Sequence, residues 1–200
     1  MQRCYSRKIT KRSPCQCQPR VAFGIKKPKA RSADYIQKHA DKYELNHFKH
    51  YSISDKGFMD FFEHPERLPV KNSVNSVVIF NEKGKLILPK DSIDCTSDIS
   101  NYISHYNKSD YNIVFDTIEF RDVFGSSISS LHGNTSDFSQ TNGKSLFVIT
   151  WASFTGKLNK NFTKPWADSI KNIINLNNAD AIFLSFDFRE NWDFEKYRPE

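Results

Sequence analysis

Between Ser145 and Asp187 the chain passes through an apolar run, a loop, an amphipathic stretch and a second apolar run (SLFVITWASFTGKLNKNFTKPWADSIKNIINLNNADAIFLSFD). Two short apolar runs joined through a helical period predict a strand–loop–helix–strand unit with its strands parallel. Phe147-Val148-Ile149-Thr150-Trp151 reads as a buried strand. Pro165 fits the first turn of a helix reaching about Asn177, with Trp166, Ile170, Ile173 and Ile174 on its core face. Ala181 to Phe186 is the next strand. The loop after the first strand is where such a unit holds its chemistry. Here that loop, Phe154-Thr155-Gly156-Lys157-Leu158, contains no Cys, His, Asp or Glu.

Charge divides the chain. Residues 1–31 carry ten Lys or Arg and no acid, so the remaining 19 bases face 23 acids. The basic balance therefore belongs to the N-terminus and the body is mildly acidic, which gives no clear nucleic-acid site on the folded body. With Pro14, Pro19 and Pro28 in it, 1–31 reads as a basic, flexible and disordered tail. A tail acting as an arm for an anionic partner is the sharper alternative. The first twenty residues lack the apolar core of a secretory signal, which predicts a cytoplasmic chain by default, or a cell-envelope one if the true start lies upstream. No apolar run reaches the ~20 residues of a membrane span. The 38 % hydrophobic and 14 % aromatic content, with 17 Phe, suffices for a packed core.

The first half offers several local signals. Ser32 can cap a helix reaching Leu45, with Asp34 in its first turn and Tyr35, Ile36, Ala40 and Tyr43 inward. His47 to Ile53 alternates as a short strand, and Asp55 is placed to cap a short helix through Phe62. His64-Pro65 and Leu68-Pro69 break the chain. Val77–Phe80 and Lys85–Leu88 flank a turn in which Gly84 supplies a positive φ, predicting a hairpin. Thr96 to Tyr106 reads as a helix with Ile99, Tyr102, Ile103 and Tyr106 inward, capped by Thr96 or Ser97 and preceded by Cys95, read as a small buried residue. Tyr111 to Phe120 holds a β-rich run at Asn112–Phe115, and Gly125 to Gly143 reads as a long loop. Arg189 to Tyr197 reads as a short terminal helix.

Trp151-Ala152-Ser153-Phe154-Thr155-Gly156-Lys157-Leu158 resembles the redox loop of the thioredoxin-like superfamily, redoxin branch, in which a strand ends in Trp-Ala-x-Trp-Cys-x-x-Cys. Trp151, Ala152, the aromatic Phe154 and Gly156 match; Thr155 and Leu158 stand where the two cysteines would be. Ser185-Phe186-Asp187 with Arg189-Glu190-Asn191-Trp192 is similar to a later redoxin segment, and Pro165 lies two residues late for the family's helix proline. The Tyr35–Leu45 helix, short strand, Pro69, hairpin and closing helix resemble the end of such a domain. The resemblance implies an α/β, thioredoxin-like fold with a mixed central sheet flanked by helices, its halves in inverted order. Residues 32–107 form the later half and 108–200 the earlier half, as one compact permuted domain or as two half-lobes.

Dithiol exchange needs a thiolate and a resolving thiol. Thr155 is a far poorer nucleophile with no base beside it in sequence, and Leu158 has no redox chemistry. The expected function is therefore a non-catalytic relative acting by binding or structural assembly, through a degenerate loop of Trp151, Phe154, Thr155, Gly156, Lys157 and Leu158. Trp151, Phe154 and Trp166 read first as core, and alternatively as an apolar groove for a protein or peptide partner. A thiol–disulfide redox protein using Cys95 or the Cys15/Cys17 pair is the alternative; a module anchored or contacting nucleic acid through the tail is a third class. No cofactor is expected. The histidines at 39, 47, 50, 64, 105 and 132 lack metal-ligand spacing, His47 and His50 falling on opposite strand faces. Asp187, Glu190 and Asp193 read as caps and solvated charges, and Lys157 and Lys160 first as solubilising and alternatively as attracting an anionic group at the following helix N-terminus.

Overall fold

The computed structural model describes residues 25–63, 74–90, 96–124, 128–132, 143–176, 178–190 and 192. Their strands form one seven-stranded mixed sheet. In chain order they are β1 (Lys49–Ile53), β2 (Ser76–Phe80), β3 (Lys85–Pro89), β4 (Asn112–Glu119), β5 (Ile128–Ser130), β6 (Ser145–Trp151) and β7 (Ala179–Ser185). Across the sheet they run β4-β3-β2-β6-β7-β1-β5. The β6–β7 and β7–β1 pairs are parallel; the other four are antiparallel. Strands from the two halves of the sequence thus interleave in a single sheet.

Among the described residues five α-helices flank it: α1 (Ala33–Lys42), α2 (Asp55–Glu63), α3 (Thr96–Ser104), α4 (Phe120–Phe124) and α5 (Lys164–Leu176). Side-chain alternation along the central strands assigns them to two layers. Phe147, Ile149 and Trp151 of β6 share a core with Ile36 and Ala40 of α1, Ile103 of α3 and Trp166 and Ile170 of α5. Leu146 and Val148 point the other way, into a second core with Phe120, Val123 and Phe124 of α4 and Phe58 of α2 packed against it. Covered on both sides, every residue of β6 is buried.

Local expectations meet the structure with specific differences. Ser32 caps α1, its Oγ accepting from Tyr35 N at 3.3 Å. The helix stops short of Leu45 because Glu44 takes a left-handed conformation, φ 57°, and Leu45 N returns to Ala40 O. The strand expected from His47 begins at Lys49, so His47 lies before it in a bend and the opposite-face argument does not apply. Ser54, not Asp55, caps α2: Gly57 N donates to Ser54 Oγ at 3.0 Å and Asp55 is the first helical residue. The β2–β3 hairpin forms as expected, with Gly84 at φ 81° and Asn81 Oδ1 accepting from Lys83 N and Lys85 N. Ile99, Tyr102, Ile103 and Tyr106 are buried as expected.

Two elements were not expected. β5 lies inside the segment read as a long loop, pairing antiparallel with β1, and α4 follows β4 directly. Three residues and five residues are too short to show a period of their own. Pro165 sits in the first turn of α5, but a π-helical turn over Asn159–Thr163 feeds into that helix. A proline has no N–H to continue an upstream ladder, and such irregularity beside one is a common accommodation. Arg189 forms a parallel bridge with Arg31, and most of the terminal helix expected over residues 189–197, namely residues 191 and 193–197, lies outside the described residues. The Pro65 and Pro69 breaks, Cys4, Cys15, Cys17, Cys95 and Asp193 lie outside the described residues, as does the expected tail up to residue 24. Residues 25–31 are extended along the body, Lys26 N donating to Phe154 O at 2.8 Å and Arg31 N to Phe188 O at 2.7 Å. No helix among the described residues is long and apolar enough to cross a membrane.

Candidate functional site

At the carboxyl end of β6 the chain leaves the middle of the sheet through a 3₁₀ turn, Ser153–Thr155. Gly156 then takes φ 61°, ψ −128°, a conformation that disfavours any residue with a Cβ. The turn places Thr155 inward. Thr155 is 4 % exposed, with Oγ1 2.7 Å from Ala152 O, to which it donates, and 3.0 Å from Asn159 Oδ1.

Asn159 is the hub of this arrangement. Fully buried, it donates from Nδ2 to Ala152 O at 2.9 Å and accepts at Oδ1 from Asn75 Nδ2 at 2.9 Å. Asn75 Nδ2 also donates to Thr163 Oγ1 at 2.9 Å. The position where the resemblance implies a nucleophile is therefore occupied by a connected polar joint tying the loop to the π turn and to the residue before β2. Such a joint is stabilising when its members are satisfied.

Asp187 corrects the reading of a cap or solvated charge. It is fully buried just beyond β7, and its carboxylate accepts from Ser153 N at 2.7 Å, Ser153 Oγ at 2.5 Å and Ser185 Oγ at 3.0 Å. Burial pushes this carboxyl above the usual carboxylate range; the donors of Ser153 and Ser185 and the nearby His39 oppose the rise without cancelling it. Asp187 fixes the start of the loop to the end of the neighbouring strand. Glu190 is exposed.

The aromatic residues divide. Trp151 and Trp166 are buried in the first core; Phe154 is half-buried against the second. Trp151 meets His50 edge to face, ring centroids 5.6 Å apart, and His50 stacks on Phe183 at 4.8 Å. His50 Nε2 lies 2.5 Å from Leu45 O, so it carries the ring proton and leaves Nδ1 as an acceptor. Among the described buried side-chain atoms, His50 Nδ1 and Trp151 Nε1 lack a hydrogen-bond partner. Burial pushes the His50 imidazole down to about 4, against the opposing bond to Leu45.

Of the remaining loop residues, Leu158 is half-buried and Lys157 and Lys160 are exposed. His47 is drawn away to α5, Nε2 meeting Asp168 Oδ1 at 2.8 Å while Lys164 Nζ meets Oδ2 at 2.8 Å. No group of three or more His, Cys, Asp or Glu is arranged to hold a metal ion among the described residues.

Sequence reasoning gave no role to Asn159, Asn75 or Ser153 and misread that of Asp187. One signal was available: Asn159 stands four residues after Thr155, the spacing that brings two side chains together on a helical turn. No protein-family model matches the chain, and neither a curated protein nor a solved structure does.

Proposed function

We propose that this is a non-catalytic protein of thioredoxin-like architecture that acts by binding or structural assembly. The observation that carries the reading is Thr155. It stands at the position of the first redox cysteine, is 4 % exposed, and has its hydroxyl engaged by Ala152 O and Asn159 Oδ1. A group so held is neither presented to a substrate nor paired with a base that would activate it. Leu158 at the second position supplies no redox chemistry.

Support for the architecture comes from the strand order. A parallel pair, β6 and β7, is joined through α5, and β6 is continued on its other side by the antiparallel β2–β3 hairpin. This is the arrangement expected if the earlier and later portions of a redoxin domain were joined in inverted order within one sheet. The loop segment Phe154–Leu158 is the face assigned to a protein or peptide partner.

The test is reduction of insulin disulfides by the full chain and by its Cys95→Ser variant, with dithiothreitol as electron donor. Both are expected to show no turnover above the uncatalysed rate. Turnover that disappears on substitution would replace this reading by a thiol–disulfide function centred on Cys95; turnover that survives it but disappears on replacing Cys15 and Cys17 would move that function to the N-terminal pair.

A further inference from the structure

A second feature lies away from the loop, outside the carboxyl ends of the parallel strands β1 and β7. Ligands of open α/β sheets gather in crevices at such ends. Here a cleft of about 250 Å³ opens between the end of β1, the start of α2, strand β5 and the segment after β7. At ~30 Å³ for each water, it has room for about eight water molecules, or for a small organic molecule.

Arg189 gives the cleft its chemistry. A guanidinium carries five N–H donors. Among the described residues one contact engages this one: Nη1 to Leu131 O at 3.5 Å, the long limit of a hydrogen bond. No carboxylate among the described residues lies within ion-pairing distance of it, and the side chain is half-buried. A cation partly withdrawn from water without a partner is costly, and an anion docked against it recovers that cost. Two hydroxyls add polar partners. Ser129 lines the same cleft, and Ser54 Oγ accepts from Gly57 N while keeping its own proton to donate.

The sign and size of the guest follow from its neighbours. Asp55 also lines the cleft, with Oδ1 turned to its own helix at Lys56 N, 2.8 Å away. Asp187 and Glu190 act on Arg189 from nearby and offset part of its charge. With three carboxyl groups around one guanidinium, a second negative charge on the guest is opposed, and a singly charged guest is held by the directed N–H donors of Arg189 rather than by the net field. Ile53 and the Trp192 indole supply apolar walls for a short carbon chain. We propose that this cleft binds a small organic monocarboxylate, with Arg189 gripping the carboxylate and Ser54 and Ser129 donating to its oxygens. Arginine matches a carboxylate with two parallel N–H···O bonds, a geometry that lysine lacks. This site stands apart from the loop of Thr155 and does not depend on the reading of that loop.

The test is an NMR titration of the full-length, ¹⁵N-labelled protein with sodium lactate at constant ionic strength, and in parallel with sodium chloride and sodium phosphate. Saturable shifts of the Ser54 and Ser129 amides and the Arg189 Nε–H are expected with lactate alone. In Arg189→Lys, which keeps the charge and the long stem, the affinity is expected to fall at least roughly tenfold, the effect of losing one charge-assisted hydrogen bond. Arg189→Met is expected to abolish the shifts. Shifts that grow linearly without saturation, that chloride reproduces, or that survive in Arg189→Lys at unchanged affinity would overturn the proposal. Saturation by phosphate but not by lactate would overturn the carboxylate assignment.

Discussion

Replacing Asn159 with alanine removes the hub that holds the loop at the end of β6. Two hydrogen bonds disappear, Asn159 Nδ2 to Ala152 O and Asn75 Nδ2 to Asn159 Oδ1, together with the 3.0 Å contact of Thr155 Oγ1 with Oδ1, which competes with Ala152 O for the one hydroxyl proton. Each group left behind keeps a partner, since Thr155 Oγ1 still reaches Ala152 O and Asn75 Nδ2 still reaches Thr163 Oγ1. The substitution therefore leaves each of these groups a partner, and the net value of the bonds is the floor of the cost, to which the space left at a fully buried position adds. At about 1 kcal/mol for each full bond the loss is at least about 2 kcal/mol, or a fall in Tm of about 4–8 °C for a chain of this length. Urea denaturation followed by tryptophan fluorescence reads it directly, because Trp151 at the head of the loop is fully buried. A double-mutant cycle with Thr155→Val gives the sharper result. The two side chains touch and share the acceptor Ala152 O, so the double variant should lose about 1 kcal/mol less than the sum of the singles. A loss below about 1 kcal/mol for Asn159→Ala, or additivity within about 0.5 kcal/mol, would refute the connected joint as the reason Thr155 is held inward.

Two further predictions concern pH, and they oppose one another. His50 is depressed to about 4 in the folded protein against about 6.5 unfolded, so as pH falls between those values the unfolded chain takes the proton first and stability declines. The loss reaches about 3 kcal/mol by pH 4, and His50→Phe, which keeps a ring stacked on Phe183, should flatten that acid limb in urea titrations; an unchanged limb would exclude burial of this imidazole as its cause. Asp187 is raised, so the folded state holds its proton more tightly and this carboxyl lowers stability as pH rises from about 3.8 through its folded value. Asp187→Asn can keep all three contacts, its Oδ1 accepting from Ser153 N and Ser185 Oγ while Nδ2 donates to Ser153 Oγ, and should be at least as stable as the parent at pH 7 with a weaker pH dependence. A loss above about 1 kcal/mol at pH 7 in that variant would mean that the ionised carboxylate itself is required.

Periodicity and turn chemistry carry far along this chain. The buried strand ending at Trp151, the amphipathic helix after Pro165, the Gly84 hairpin and the Ser32 cap are each written within about a dozen residues, because burial on one face and the φ of a turn are local requirements. Interactions between distant segments are not written that way. No local pattern tells the three residues of β5 to pair with β1, or Arg189 to bridge to Arg31. Asp187 read as a surface charge because sequence shows residue type but not depth; folding places it at zero exposure against Ser153, 34 positions away. The opening loop shows the same division. Its composition alone excluded dithiol exchange between residues 155 and 158. That Thr155 is turned inward and joined to Asn159, with Asn75 closing the network from 84 positions away, came only from the packing of the π turn and β2 against β6. Apolar pattern acts between neighbours in sequence, whereas the partner of a buried polar group is whichever residue the fold brings within hydrogen-bond reach.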